Sequence, residues 1–254
     1  MKTLQTTAEL RAALAPLRDG RRIGLVPTMG ALHAGHLALV AAARAECDLV
    51  VASLFVNPAQ FGEAADLEAY PRDLARDQAV AAAAGVDVLF APAAGELYPP
   101  GFATWVVPEG AAEGLEGEHR PGHFRGVATV CVKLLELVRP HVAYFGRKDA
   151  QQLAVVKQVV RDLNIDVEIR AVETVRDDDG LALSSRNALL SPDERRRALA
   201  IPRALATRDP DRARAMLAEA GIEPDYVAVA DLDGETLAIA ARVGATRLID
   251  SVKL

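Results

Sequence analysis

The stretch Arg22–His36 has the sequence RIGLVPTMGALHAGH, and it sets the fold of the chain. Its first five residues, RIGLV, predict a short buried strand, since four apolar residues follow Arg22. A loop with two glycines follows over Pro27–Gly35, and a helix that begins at His33 or His36 runs to about Glu46. A strand, a loop and a helix in this order form the repeating unit of α/β sheets.

The same alternation of apolar strand and amphipathic helix continues along the chain. It predicts an open parallel sheet with helices on both faces, in which ligands bind at the carboxyl ends of the strands. Further strands are expected at Asp48–Val56, Val86–Phe90, Thr104–Val107, Val142–Phe145 and Asp166–Val172. Helices are expected at Thr7–Leu17 (with Thr7 as N-cap), Arg72–Ala84, Phe124–Val138 and Asp149–Asp162, and a surface loop at Glu113–His123.

The pattern changes near residue 176, where Arg176–Gly180 (RDDDG) predicts a turn. Ser191 and Pro192 are typical of a helix start, as the cap and the first helical residue. Two helices follow, and then short strands at residues 226–230, 237–240 and 247–249. We therefore predict a first domain over residues 1–175 and a small α+β domain over residues 176–254.

The composition is that of a protein that folds in water. Hydrophobic residues make up 51% of the 254 residues, and the formal net charge is −6, without a long Lys/Arg run. These values argue against non-specific nucleic-acid binding. The two cysteines lack CxxC spacing, no apolar run approaches the roughly 20 residues that span a bilayer, and the N-terminus is too polar for a signal peptide. We expect a cytoplasmic protein with neither a membrane nor a nucleic-acid partner.

The loop Pro27–His36 (PTMGALHAGH) has the composition of a phosphate site. Gly30 allows the backbone to approach a ligand, and the N–H groups at the helix start attract anions. His33 and His36 are three residues apart, so both imidazoles can lie on one face and donate to a phosphoryl group. An ordinary helix cap with incidental histidines stays open. So does a zinc site, although HxxH supplies only two ligands.

Two more loops carry cations and hydroxyls that suit phosphate. In Gly146–Gln152 (GRKDAQQ), Lys148 is a mobile point charge, and Asp149 could hold Mg²⁺ or cap the helix. Leu181–Asn187 (LALSSRN) offers two hydroxyls and a guanidinium. Alone, the first sequence is a weak signal, because Lys-Asp is common at helix starts, and the second is better explained as an ordinary polar turn.

Amides and further charges lie in the remaining polar segments. Asn57–Phe61 (NPAQF) contains two amides, which suit hydroxyl and carboxylate groups, although a turn fixed by Pro58 explains it equally. Arg120, in RPGHFRG, could pair with an anionic substrate, whereas His123 is as well explained by a structural role. Asp77 is either a metal ligand or part of a solvated helix face.

Taken in order, these segments closely resemble the pantoate–β-alanine ligase (pantothenate synthetase) family. The wider class is that of the HxGH nucleotidyltransferases, which have a Rossmann-like fold. The similarity covers residues 22 to about 187 without a large gap, and also the terminal TRLID. The matching segments are PTMGALHAGH, FVNPAQFG, YPRD, HRPGHFRGVATVC, YFGRKDAQQL, RDDDGLALSSRN and TRLID.

The resemblance implies a two-step reaction that makes pantothenate. The carboxylate of pantoate attacks the α-phosphorus of Mg·ATP, which gives pantoyl adenylate and pyrophosphate, and the amine of β-alanine then displaces AMP. No nucleophilic side chain is required, because the protein orients the reactants and neutralises phosphate charge. The resemblance also implies a homodimer. We expect residues 176–254 to act as a lid that protects the adenylate from water.

The resemblance further implies the residues that act on ATP. His36, His33 and Lys148 would be the catalytic residues, with both histidines on the α-phosphate. The ATP-binding residues would be Met29, Gly30, Ala31, Leu32, His33, Ala34, Gly35, His36, Gly146, Arg147, Lys148, Asp149, Val175, Leu183, Ser184, Ser185 and Arg186.

A second set of residues is implied for the other substrates and the metal. Gln60 and Gln152 would hold pantoate, and Gln60 would also lie beside β-alanine. Asn57 and Arg120 would belong to the same substrate site. Asp77 would be the carboxylate on the Mg²⁺ side.

Three features depart from the family pattern. Arg147 takes the place of the acidic residue that is more usual in GEKD, which adds positive charge near the phosphates. Arg76 precedes Asp77 where a carboxylate is common, so Mg²⁺ binding there is less secure. The region after about Ala206 is shorter than typical, and the second domain is expected to be trimmed.

Two rival functions stay open. An HxGH enzyme that transfers AMP to a phosphate ester would need more Arg and Lys near its acceptor than FVNPAQF and KDAQQ supply. A non-catalytic nucleotide-binding regulator would not need the complete set of His33, His36, Lys148 and Ser184–Arg186.

Overall fold

The computed structural model describes residues 1–62 and 64–254 and divides the chain into two units. The first unit holds residues 1–145 and 155–172, and the second holds residues 146–154 and 173–254. None of the helices in these ranges is long and apolar enough to cross a membrane. The domain boundary expected at residue 176, and the lid, stay predictions.

The first unit alternates strands with helices. Its strands are β1 (Lys2–Leu4), β2 (Ile23–Thr28), β3 (Leu49–Leu54), β4 (Val88–Phe90), β5 (Val142–Gly146) and β6 (Glu168–Val172). Its helices are α1 (Thr7–Leu14), α2 (Ala34–Glu46), α3 (Ala64–Ala69), α4 (Leu74–Ala83), α5 (Ala94–Leu97), α6 (Leu115–His119) and α7 (His123–Val138). The next helix, α8 (Ala150–Asp162), begins in the second unit and ends in the first.

The six strands form one parallel sheet in the order β1-β4-β3-β2-β5-β6. In β2, Ile23 lies opposite Leu49 of β3, and Gly24 lies opposite Val142 of β5. The next strand along the chain, β3, therefore lies on one side of β2, and the later strand β5 lies on its other side. A ligand crevice forms at the carboxyl ends of strands where the order reverses in this way. The predicted Rossmann-like α/β sheet is confirmed.

Close packing of α2 on the sheet positions the loop that joins β2 to α2. Val26 of β2 and Leu39 and Ala43 of α2 are buried in one hydrophobic cluster. A Cβ on Gly24 would lie 3.1 Å from a ring carbon of Tyr144, another member of this cluster. Glycine at this position of β2 therefore lets the neighbouring layers approach each other closely.

The second unit combines three helices with a three-stranded antiparallel sheet in the order β7-β8-β9. Its elements are α9 (Pro192–Ala198), α10 (Ala200–Ala206), α11 (Pro210–Glu219), β7 (Pro224–Asp231), β8 (Glu235–Val243) and β9 (Thr246–Lys253). Leu237, Ile239 and Val243, which alternate along β8, share one core with Ile201 and Leu217 of the helices. The small α+β architecture expected for this region is confirmed.

Two predicted elements were wrong because side-chain contacts override the local pattern. Thr104–Val107 forms no strand, and the Val106 N–H donates to Oγ1 of Thr129 on α7 at 3.1 Å. The expected surface loop at Glu113–His123 contains α6, in which Glu116 is buried.

Smaller differences concern element ends. Thr6, not Thr7, caps α1, because its hydroxyl accepts from the Glu9 N–H and its own N–H donates to the Glu9 carboxylate. The strand β1 was missed because three residues are too few to show a period. Two helices were expected after residue 190 and three are present. Ser191 caps α9 and Pro192 is its first residue, as predicted.

Cys131 provides a simple test of the core of the first unit. Its thiol is fully buried on α7, and this burial raises its pKa to about 12. Cys47, the other cysteine, is also buried. We expect neither thiol to react with Ellman's reagent at pH 8 in the native protein and both to react in guanidinium chloride. Rapid labelling of the native protein would contradict the packing described here.

Candidate active site

The loop between β2 and α2 ends in a cap made of two imidazoles. His33 is the N-cap of α2, and its Nδ1 accepts a hydrogen bond from the Gly35 N–H at 3.1 Å. Nδ1 of His36 accepts from the His33 N–H at 3.3 Å, which completes a capping box. Imidazoles here replace the hydroxyl and the carboxylate or carboxamide of the usual box. The two ring centroids are 4.1 Å apart.

These contacts determine which ring nitrogen can donate. A neutral imidazole that accepts at Nδ1 carries its proton on Nε2. His33 and His36 are therefore both oriented as Nε2–H donors, and the N-terminus of α2 adds partial positive charge beside them. The arrangement can bind an oxyanion and stabilise charge that develops on it.

Asp77, on α4, anchors the preceding turn of the same loop. The residue is 2% exposed, and its two carboxylate oxygens accept from the N–H groups of Ala31 and Leu32 at 2.7 and 2.8 Å. Gly30 and Ala31 have φ values of 86° and 50°. A Cβ on Gly30 would lie 2.9 Å from Asp77 Oδ2. Glycine at position 30 therefore allows both the left-handed turn and the close approach of the carboxylate.

The surroundings of Asp77 do not fit a metal ligand. Both of its oxygens already accept main-chain N–H groups, and the Arg76 guanidinium donates to Oδ1 at 3.3 Å and to the Leu32 carbonyl at 3.1 Å. Magnesium sites use one or two carboxylates that face the ion. No group of three or more His, Cys, Asp or Glu suited to a metal occurs among the side chains that the structure describes. Arg76, noted only as a departure from the family pattern, is part of the anchor.

The amides that follow β3 form a buried network. Asn57 and Gln60 are 1% and 8% exposed. Nδ2 of Asn57 donates to Oε1 of Gln60 at 2.9 Å and to the Gly126 carbonyl at 3.1 Å. Nε2 of Gln60 lies 3.2 Å from Sδ of Met29, so the network reaches the loop between β2 and α2. The structure thus brings two predicted substrate residues beside a predicted ATP residue.

Arg120 joins this network through His123. The Arg120 guanidinium lies 3.2 Å from Nε2 of His123, whose Nδ1 lies 3.0 Å from the Gln60 carbonyl oxygen. A guanidinium can only donate, so His123 accepts at Nε2 and donates from Nδ1. The carboxylate of Glu116 lies 3.7 Å from the same guanidinium. These contacts hold Arg120 beside the amides and assign His123, which the sequence left open, to its support.

Gly126 is a site residue that sequence reasoning missed. It lies inside α7, and a Cβ there would be 2.3 Å from the carbonyl oxygen of Ala59 and 2.6 Å from the nitrogen of Gln60. Only glycine lets α7 pack this closely on the turn that carries Gln60. Glycine inside a helical pattern is the signal that could have identified it, because it costs about 1 kcal/mol relative to alanine.

In the second unit, the short 3₁₀ turn Arg147–Asp149 precedes α8. Nε of Arg147 lies 2.8 Å from Glu173, and Nη1 lies 3.2 Å from Asp233, so the charge of this arginine is compensated. Nζ of Lys148 lies 3.7 Å from Oδ1 of Asp149. Lys148 is therefore the cation of this turn with the weaker acidic contact.

The ends of the neighbouring elements hold two more predicted residues. Gly146 is the last residue of β5, and Gln152 lies in the first turn of α8, where it is half-buried. Asp149 is the last residue of the 3₁₀ turn and directly precedes α8.

A strand-like pairing brings Val175 next to Leu183, whose N–H donates to the Val175 carbonyl at 2.9 Å. Ser184 then caps a 3₁₀ helix that begins at Ser185, and its Oγ accepts from the Arg186 N–H at 3.2 Å. The predicted ATP residues of this unit therefore lie in two places. Residues 146–149 form one short segment, and Val175 pairs with the segment 183–186.

Comparison with known protein families finds one family over nearly the whole chain. Residues 2–253 match the family model described as pantoate-beta-alanine ligase. The pantothenate synthetase of Heliobacterium modesticaldum is 50% identical over 277 residues, covering 99% of this chain and 99% of the relative. That of Moorella thermoacetica is 51% identical over 279 residues, covering 100% and 99%. Both alignments are longer than the 254 residues of this chain, so these relatives contain residues that it lacks.

Solved structures give the same result. The pantothenate synthetase of Thermus thermophilus superposes with a TM-score of 0.91 at 48% identity, covering 100% of this chain and 99% of that one. The pantoate-beta-alanine ligase of Francisella tularensis, complexed with beta-gamma ATP and beta-alanine, superposes with a TM-score of 0.91 at 36% identity, covering 100% and 97%.

Proposed function

This chain belongs to the pantoate–beta-alanine ligase family, and on that premise we propose how its residues carry out the family's reaction. It is a ligase that forms pantothenate from pantoate and β-alanine, with ATP as co-substrate. The observation that carries our assignment of roles is the pair of Nε2–H donors that His33 and His36 direct from the start of α2.

We propose that the reaction passes through pantoyl adenylate. A carboxylate oxygen of pantoate attacks the α-phosphorus of ATP, the bond from this phosphorus to the bridging oxygen breaks, and pyrophosphate leaves with the electron pair. The amine of β-alanine then attacks the acyl carbon and loses a proton, and AMP leaves. The substrate supplies the nucleophile in each step, so the protein has to align the reactants and stabilise phosphate charge.

His33 and His36 are proposed to stabilise the α-phosphate during the first step. Charge grows on its non-bridging oxygens as the carboxylate attacks, and donors already in place lower the barrier without reorganisation. The two Nδ1 contacts with the main chain support this role, because they hold both rings in one tautomer and orientation. The N–H groups at the start of α2 add to the same field.

Gln60 is proposed to hold pantoate and to lie beside β-alanine, and Gln152 is proposed to hold pantoate as well. Asn57 and Arg120 are proposed to bind substrate with Gln60. The Gln60 amide is buried and oriented by Asn57 and Met29. An amide oxygen has two acceptor sites and an amide nitrogen has two donors. Gln60 can therefore still accept from one substrate hydroxyl and donate to a second polar atom.

Lys148, Val175 and Leu183–Arg186 are proposed to bind ATP, with Lys148 on its phosphates. The ion pairs of this turn support Lys148 as the side chain that contacts phosphate. Arg147 is neutralised by two carboxylates, whereas Lys148 has one acidic neighbour at 3.7 Å. The unusual arginine at position 147 therefore adds little net positive charge to this site.

We also propose that the reaction uses Mg²⁺, that the protein forms a homodimer and that it is located in the cytoplasm. The contacts of Asp77 support Mg²⁺ arriving with the ATP phosphates rather than on a protein carboxylate. Sedimentation equilibrium at micromolar concentration tests the homodimer, since a monomer mass would exclude it.

One assay tests the proposed reaction. The protein is incubated with Mg·ATP and pantoate while pyrophosphate is followed, and β-alanine is then added while AMP and pantothenate are followed. We expect pyrophosphate only with pantoate, and AMP only after β-alanine. Pyrophosphate released with a phosphate ester instead of pantoate would indicate the rival nucleotidyl transfer. ATP binding with no turnover would indicate a regulator.

Replacing Gly126 by alanine is expected to raise KM for pantoate at least about tenfold, because the new Cβ would displace Ala59 and Gln60 and misplace the Gln60 amide. Gly95→Ala is the matched control, since a Cβ at position 95 meets nothing within 4 Å. Steady-state kinetics with pantoate as the varied substrate measure both. An unchanged KM in the Gly126 variant would show that Gln60 does not position pantoate.

A further inference from the structure

A cavity of about 290 Å³ lies entirely among residues of the second unit. Its lining includes four cationic side chains, those of Arg147, Arg176, Arg208 and Lys253, and one acidic side chain, that of Glu173. Ligand pockets usually range from about 300 to 1,000 Å³. The cavity is therefore of a size for a small ligand, and its lining selects an anion.

Two of these cations are held rigidly by carboxylates. Arg176 makes a two-pronged ion pair with Asp250, at 2.6 and 3.1 Å, and Asp250 is 3% exposed. Arg147 is held by Glu173 and Asp233, at 2.8 and 3.2 Å. Such pairs keep a guanidinium in one orientation, and the N–H groups that point away from the carboxylate can still donate.

The other two cations have no such compensation. Within the part of the chain that the structure describes, neither Arg208 nor Lys253 forms an ion pair with a carboxylate. The Lys253 side chain crosses Gly234, where a Cβ would lie 2.7 Å from Cε of the lysine, so glycine at 234 makes room for it. Arg208 follows α10 with φ of 55°, a left-handed conformation uncommon outside glycine. Gly234 and the left-handed backbone at position 208 therefore allow Lys253 and Arg208 to line the cavity.

The lining of the cavity also has an apolar part. Leu153, Leu232 and Val252 contribute to the walls. Arg208 and Lys253 are exposed, so water screens their charges, whereas Arg147 and Arg176 are half-buried. Two uncompensated cations, two oriented guanidiniums and an apolar wall together suit a compact anion with several oxygen atoms.

We propose that this cavity binds a small multiply charged oxyanion of the phosphate class, for which inorganic phosphate is the simplest member. Its oxygens would pair with Arg208 and Lys253 and accept hydrogen bonds from Arg147 and Arg176. This proposed anion site does not depend on the reaction assigned above, because it is defined only by the residues that line the cavity.

The position of the cavity predicts an effect on ATP. Arg147 is the chain neighbour of Lys148, and Arg176 is the chain neighbour of Val175, both of which the proposed function assigns to ATP. Phosphate in the cavity is therefore expected to change KM for ATP, and this expectation, unlike the site itself, rests on the proposed function.

Phosphate binding is measured by calorimetry at constant ionic strength, with the enzyme saturated by a non-hydrolysable ATP analogue. We expect binding to persist, because Arg147 is the only lining residue of the cavity that is also among the residues assigned to ATP. The double variant Arg208→Ala/Lys253→Ala should weaken it about tenfold or more, which corresponds to about 1.4 kcal/mol. Arg203→Ala/Arg242→Ala is the matched control, because it removes the same charge from exposed residues outside the cavity and should change the affinity less than twofold.

Three results would overturn the site. Loss of phosphate binding when the analogue is present would place the anion at the nucleotide instead. Equal affinity in the wild type and in the Arg208/Lys253 variant would remove the cavity as its location, and equal weakening by the control would reduce the effect to net charge. If phosphate binds as expected but KM for ATP does not change, the site stands and only its link to the ATP residues fails.

Discussion

The variant His36→Ala is expected to release pyrophosphate about 100- to 1,000-fold more slowly than the wild type with saturating ATP and pantoate, which is the usual loss when one preorganised donor to a developing oxyanion is removed. The loss should fall on kcat, because His36 is proposed to act on charge that appears in the transition state. Stability should fall by only about 1 kcal/mol, since one capping hydrogen bond is lost. Single-turnover pyrophosphate release and thermal unfolding measure the two effects.

The variant His36→Gln separates the cap from the catalytic donor. Glutamine is a normal residue at the third position of a capping box and can accept from the His33 N–H as the imidazole does. Its amide N–H is carried by a flexible side chain and is not held in the direction that the imidazole ring gives to Nε2–H. We therefore expect His36→Gln to restore stability and not pyrophosphate release. Near-normal release in His36→Ala, or equal recovery of both properties in His36→Gln, would show that this residue serves the cap alone.

The variant Asp77→Ala has the second largest expected effect. It leaves the N–H groups of half-buried Ala31 and buried Leu32 without acceptors, which should lower the free energy of unfolding by about 2–4 kcal/mol. Because the left-handed turn at Gly30 and Ala31 then loses its anchor, KM for ATP should rise at least about tenfold. Amide hydrogen exchange at positions 31 and 32 should accelerate.

A matched control and a metal titration distinguish an anchor from a metal ligand. Asp73→Ala removes another carboxylate from α4, the N-cap that accepts from the Arg76 N–H, without touching the Gly30–Leu32 turn. It should lower stability by about 1 kcal/mol and leave KM for ATP unchanged. If Asp77 is an anchor, the Mg²⁺ concentration for half-maximal activity stays the same in Asp77→Asn. A several-fold increase in that concentration would favour Asp77 as the metal ligand.

Local patterns along the chain were sufficient for most of the framework. Most of the parallel strands are apolar runs that a helix follows, so pattern and periodicity identified five of the six strands of the first unit. Ser191 was identified as the cap of α9 because capping depends on residues within one turn. The same reasoning failed at Thr104–Val107, whose apolar and β-branched residues suit a strand. A hydroxyl on α7, distant in sequence, takes the hydrogen bond that a neighbouring strand would have taken.

From its residues alone, this chain could be predicted to be an α/β protein with a candidate phosphate-binding loop at Met29–His36, because strand period, glycine and helix start are all local in sequence. The motifs also sufficed to propose the family. The residue that anchors this loop, and the nitrogen of each imidazole that donates, could be identified only from the tertiary structure. Asp77 comes from α4, 45 residues beyond Leu32, and Gly126 reaches the Gln60 turn from α7. Such contacts depend on how separate helices pack against the sheet, and no short-range pattern in a sequence records that.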